Sequence, residues 1–162
     1  MKSNRYLWFF AFLTGLVICF IFSNSMRSQV VSDEQSKTVA AVVDPTINPQ
    51  GGVDDYEWLN VLVRKLAHMA EFALLGAVLY GLILSIYKIW GKWFVGMMLF
   101  TSLAVAVIDE SIQYLVPGRT PLVSDILIDF TGAIFGIIFG WLLSNILLRH
   151  GKLVYDKDII SV

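Results

Sequence analysis

Polar residues are sparse along this chain and gather between four long apolar runs. The first, Leu7 to Phe22, contains no charge, and the second, Leu66 to Tyr87, is interrupted only by His68 and Glu71. The third covers Trp93 to Ile108 and the fourth Ile126 to Leu148. A membrane-crossing helix needs about 20 mostly apolar residues at about 1.5 Å rise each, so the first and third must extend into their flanks. The pattern predicts an all-α integral membrane protein with four transmembrane helices, at about 6–23, 59–88, 92–115 and 124–149, in a single domain spanning 1–162. Tyr6, Trp8, Tyr56, Trp58, Tyr87, Trp90, Trp93 and Tyr114 stand at the run ends, where an interfacial aromatic belt belongs.

The segment 24–58 between the first two runs is the one sizeable soluble stretch. Ser32 and Gln35 form a capping-box pattern that opens a short helix, and Asp44-Pro45 closes it. Val39, Val42 and Val43 give that helix an apolar side to lay on a membrane, and Gly51-Gly52 marks a turn before the second span. Lys2 and Arg5 before the first run, with Ser23-Asn24-Ser25 after it, also fit a cleaved signal peptide. The length and bulky end of the run favour a retained helix.

Composition agrees with lipid as the solvent: 57% hydrophobic, 15% charged, mean hydropathy +0.70. A soluble domain carries about a quarter charged residues. A net charge of −1 gives no footprint for nucleic acid, and the single Cys19 cannot form an internal disulfide. Basic residues set the orientation. With the N-terminus inside, Lys2, Arg5, Lys88, Lys92, Arg149, Lys152 and Lys157 are cytoplasmic, and Arg27, Lys37, Arg64, Lys65 and Arg119 are external. Both termini are therefore expected in the cytoplasm, with 24–58 and its short helix outside.

Gly132, Gly136 and Gly140 repeat every fourth residue, a groove in which another helix, from this chain or from a second copy, can lie close. At about 100° per residue they share a face with Asp125 and Asp129. Arg64, His68 and Glu71 share one face of the second span, and Asp109 and Gln113 lie one turn apart at the end of the third. Pro117-Gly118-Arg119 then turns the chain into the fourth. Counting about 20 residues per crossing from the inner boundary puts His68, Glu71, Asp109, Glu110, Gln113, Asp125 and Asp129 in one layer at the outer edge. Charges at such depth cost roughly 2.5–3.5 kcal/mol at the bilayer centre and less near the interface, so most must face inward or pair. Asp109 and Glu110 also sit near a helix C-terminus, which disfavours anions, so that pair calls for a cation.

This layer is the candidate site. His68 and Glu71 offer an acid–base pair with Asp109 and Glu110 beside them, and Lys65, Gln113, Arg119, Asp125 and Asp129 offer ligand contacts. A divalent metal is a further expectation, with His68, Glu71, Asp109 and Asp125 as candidate ligands suited to Mg²⁺, Mn²⁺ or Ca²⁺, and Zn²⁺ left open beside them. No serine or cysteine stands in a nucleophile motif. The alternative readings are a structural or scaffolding membrane protein, which needs no site, and a small ion-coupled transporter, whose site belongs nearer the midplane.

Lys65-x-x-His68-x-x-Glu71-Phe72-x-x-Leu75-Gly76, then Asp109-Glu110-x-x-Gln113-x-x-x-Pro117-Gly118-Arg119, then Ser124-Asp125 ahead of Gly132-x-x-x-Gly136, resemble the VanZ-like family. Asp129 departs from the asparagine usual there. The resemblance implies a multi-pass protein of the bacterial cytoplasmic membrane, tied to the cell envelope and to low-level teicoplanin resistance. The ligand class it suggests is an envelope lipid or lipid-linked cell-wall precursor. It implies no particular reaction, and a phosphotransbutyrylase label used in the family finds no phosphate-cradling glycine loop here.

Overall fold

The computed structural model describes residues 2–27, 34–39, 55–119 and 121–160. Four long helices carry the fold: α1 (Lys2–Ser25), α2 (Asp55–Trp90), α3 (Val95–Tyr114) and α4 (Val123–Ile160). No strand occurs among the described residues. Each helix contains a stretch long and apolar enough to cross a membrane: Asn4–Ser25, Trp58–Trp90, Val95–Tyr114 and Val123–Leu147. A helix satisfies its own backbone hydrogen bonds, which is why apolar runs of this length adopt one in lipid. Phe12, Phe20, Phe100, Phe135 and Phe139 are all exposed on the bundle's outside, as a lipid-facing surface requires.

α2 is the central helix. It packs on α4 most extensively and also on α1 and α3, whereas α1 and α4 do not touch among the described residues. Phe72, Leu75, Leu79 and Ile83, spaced three and four apart, bury the inner stripe of α2 against Val17 and Ile21 of α1, Met98, Val105 and Ala106 of α3, and Ala133 of α4.

The α2–α4 seam is built on glycine. A Cβ at Gly132 would fall on the Met69 carbonyl, one at Gly136 on the Ala73 carbonyl, and one at Gly76 on the Ala133 carbonyl. Glycine on both helices thus sets how close the two backbones lie. Gly140 faces the ring of Tyr80, whose hydroxyl pairs with Ser144 Oγ at 3.0 Å. The groove that the four-residue repeat offered to an own or a foreign helix is filled by α2 of the same chain.

Two turns fix the ends. Gly91, at φ 68°, stops α2 with its N–H on the Tyr87 carbonyl at 2.8 Å. Gly118, at φ 86°, lies in the Pro117-Gly118-Arg119 turn between α3 and α4. α4 runs to Ile160, past the expected end near 149, because the charged segment that follows contains no proline to break it. α3 starts at Val95 rather than near 92, since Gly91 and the three residues after it form the turn. The short helix between α1 and α2 is present at 34–39. Ser36 is buried on it and Val39 is exposed. The Ser32 cap, Val42, Val43, Asp44-Pro45 and Gly51-Gly52 lie outside the described residues.

Candidate functional site

The end of the bundle where α1 finishes, α2 enters its apolar span, α3 ends and α4 begins is polar. Asp109 on α3 and Asp129 on α4 are buried there, 0% and 1% exposed. Asp109 accepts from the Ser25 hydroxyl of α1 and from Gln113 Nε2 at 2.9 Å, one turn along its own helix. His68 of α2 stands between the two acids, its Nδ1 4.0 Å from Asp109 Oδ2 and 3.9 Å from Asp129 Oδ1. Neither oxygen of Asp129 accepts a hydrogen bond among the described residues.

A cavity of about 200 Å³ opens beside this group, lined by Arg64, Lys65, His68, Gln113, Arg119, Leu122, Asp125, Ile128 and Asp129. Lys65 Nζ donates to Asp125 Oδ1 at 2.9 Å, joining the start of α4 to α2. Arg119 Nη1 donates to Gln113 Oε1 at 2.8 Å. Gln113 therefore links an arginine at the cavity to the buried Asp109. A second cavity of about 290 Å³ lies on the α1 side, walled by Asn24, Arg27, Ser36, His68, Glu71 and Arg119 among others. Asn24 Nδ2 donates to Glu71 Oε1 at 2.7 Å. His68 borders both cavities.

The residues expected in one layer lie at the same end of the bundle, but they divide there. His68, Asp109 and Asp129 converge, and Lys65, Gln113, Arg119 and Asp125 surround them at the first cavity. Glu71 turns instead toward Asn24 and the second cavity. Glu110 points away to the α4 entry, where it accepts the Leu122 N–H at 2.6 Å. Neutral donors hold both acids of the macrodipole argument, Ser25 and Gln113 for Asp109 and a backbone amide for Glu110, and of the cations expected there His68 lies 4.0 Å from Asp109. The metal quartet of His68, Glu71, Asp109 and Asp125 is rearranged too: the ligand atoms that lie within 4.8 Å of one another belong to His68, Asp109 and Asp129. Asp125 is engaged by Lys65 and Glu71 by Asn24.

Three side chains fall outside the sequence-based set. Asn24 and Ser25 reach the site from α1, and Arg64 lines both cavities. The polar triplet Ser23-Asn24-Ser25, ending an uncharged run at the depth of His68, is the signal that could have found the first two.

A profile of the VanZ/LLP1 family matches residues 10–144, which take in parts of all four helices and every residue of this polar end. The chain belongs to the VanZ/LLP1 family. No curated protein and no solved structure matches it. As a VanZ/LLP1 protein with four spanning helices it is a multi-pass membrane protein. The matched range includes Asp129, which lies beside His68 in the site.

Proposed function

We propose that this VanZ/LLP1 protein acts in the bacterial cell envelope by binding the anionic head group of a lipid or lipid-linked cell-wall precursor in the cavity beside His68. The observation that carries this reading is the convergence of Arg64, Lys65 and Arg119 on one small cavity at the polar end of the bundle. Hydrogen bonds from such groups to an anion contribute about 1.5–3 kcal/mol each. About 200 Å³ admits a phosphate with part of a sugar or glycerol and leaves acyl chains outside, in lipid. The seven-to-five basic asymmetry supports cytoplasmic termini, and hence a cavity on the outer leaflet. His68, bordering both cavities, is the group best placed to exchange a proton with a bound ligand. Low-level glycopeptide resistance follows if the bound species presents the drug's target.

The test is glycopeptide susceptibility in a host lacking the gene, complemented with wild type, Lys65→Gln or Glu71→Gln at matched membrane levels. Wild type should protect. Lys65→Gln should lose protection while its expression stays normal. Equal protection by wild type and both variants would remove the polar end from the function.

A further inference from the structure

We propose that His68, Asp109 and Asp129 form a divalent-cation site at the junction of α2, α3 and α4. One ligand atom from each residue lies within 4.8 Å of the others, and His68 Nδ1 stands 3.9 Å from Asp129 Oδ1 and 4.0 Å from Asp109 Oδ2. Around an ion bonded at about 2.1–2.4 Å, ligand atoms stand about 3–4.5 Å apart, so these three atoms accept one with little movement. A nitrogen and two carboxylates suit Mn²⁺, Zn²⁺ or Mg²⁺.

The carboxylates alone would not make the case. The second observation is Asp129 itself: it is 1% exposed, its Oδ1 faces His68, and neither oxygen accepts a hydrogen bond among the described residues. A carboxylate buried in this way requires a partner, and a cation between it and Asp109 supplies one. The supports also fit a metal centre. Ser25 and Gln113 hold Asp109 from two sides, orienting a ligand carboxylate as outer hydrogen bonds do. His68 and Asp129 also line the 200 Å³ cavity, the side from which water or an anionic oxygen would complete the coordination. The three residues come from three helices, so the ion would also tie the end of α3 to α2 and α4.

The proposal does not depend on the head-group reading, and its test uses no anionic lipid. The full chain, purified in neutral detergent and stripped with chelator, is titrated with Mn²⁺ and followed by electron paramagnetic resonance, with metal content measured before stripping. One Mn²⁺ per chain is expected, with nitrogen coupling from an imidazole. Asp129→Asn and Asp109→Asn should each weaken binding by at least about tenfold, while Asp125→Asn and Lys65→Gln should not. Because either aspartate variant could disturb folding, the imidazole coupling on wild type decides independently. Absence of Mn²⁺ and Zn²⁺ binding by wild type overturns the proposal, as does binding without imidazole coupling or equal affinity in wild type and a folded Asp129→Asn. Those results would leave a shared proton, not an ion, between the acids.

Discussion

The two ends of the α2–α4 pair are held together by opposite means. Along the seam, Gly76, Gly132 and Gly136 remove side chains until backbone meets backbone. One or two turns away, at Lys65–Asp125 and His68–Asp129, the same helices carry polar side chains and are separated by a cavity. A close seam leaves no room for a ligand, and a polar opening contributes little to holding helices together in lipid. The seam fixes the distance at which the polar groups face one another. Structure is concentrated in one region and candidate chemistry in the other.

The largest effect should come from filling the seam. Gly136→Ala places a methyl on the Ala73 carbonyl, and overpacking against side chains already costs about 1–3 kcal/mol, so a clash with backbone belongs at or above the top of that range. Loss of monodisperse protein in detergent, or a large drop in Tm, would show it. A well-behaved Gly136→Ala chain of wild-type stability would break the comparison.

At the polar end the response should depend on metal rather than on packing. In chelator, Asp129→Asn should be as stable as wild type or more so, because it removes a buried carboxylate that accepts no hydrogen bond. With Mn²⁺ at about 100 times the wild-type Kd, wild type should gain about 2.7 kcal/mol and Asp129→Asn at most about 1.4 kcal/mol, read as rises in Tm. Asp129→Asn unfolding like a seam variant in both conditions would make that residue structural.

A smaller change is expected at Lys65. Its ion pair with Asp125 is about a third exposed at each end, 31% and 29%, so Lys65→Gln should cost at most about 1 kcal/mol of stability. Head-group binding should fall far more than Tm does. The smallest effect belongs to Gly15 on α1, where an added Cβ meets nothing within 4 Å. Gly15→Ala should be neutral or stabilising by up to about 1 kcal/mol in the same melting assay. Destabilisation there comparable to Gly136→Ala would show that glycine matters to these helices for reasons other than close approach.

Much of this arrangement was legible in the chain. Four long apolar runs, each able to reach a bilayer's thickness with its flanks, leave few alternatives to four helices, and the four-residue glycine repeat announced a tight seam, with Asp129 on the same face. Depth counting put His68, Asp109 and Asp129 in one layer. What counting could not supply was direction within that layer. Glu110 and Asp109 are neighbours, so about 100° separates them on α3; one turns to His68 and the other to the Leu122 amide. Asp125 and Asp129 share a face, yet Lys65 on the facing helix takes the first and leaves the second. Asn24 and Ser25 escaped because they end a span with no charge, and their role depends on α1 packing beside α2 and α3, which no local pattern encodes.

The central claim is that the cavity beside His68 holds an anionic head group. The most direct measurement is native mass spectrometry of the full chain released from nanodiscs containing equal phosphatidylglycerol and phosphatidylcholine. Wild type should retain one phosphatidylglycerol per chain in preference to phosphatidylcholine, and Lys65→Gln and Arg119→Gln should lose that preference. Equal retention of the two lipids by wild type, or an unchanged preference in both variants, would contradict the claim.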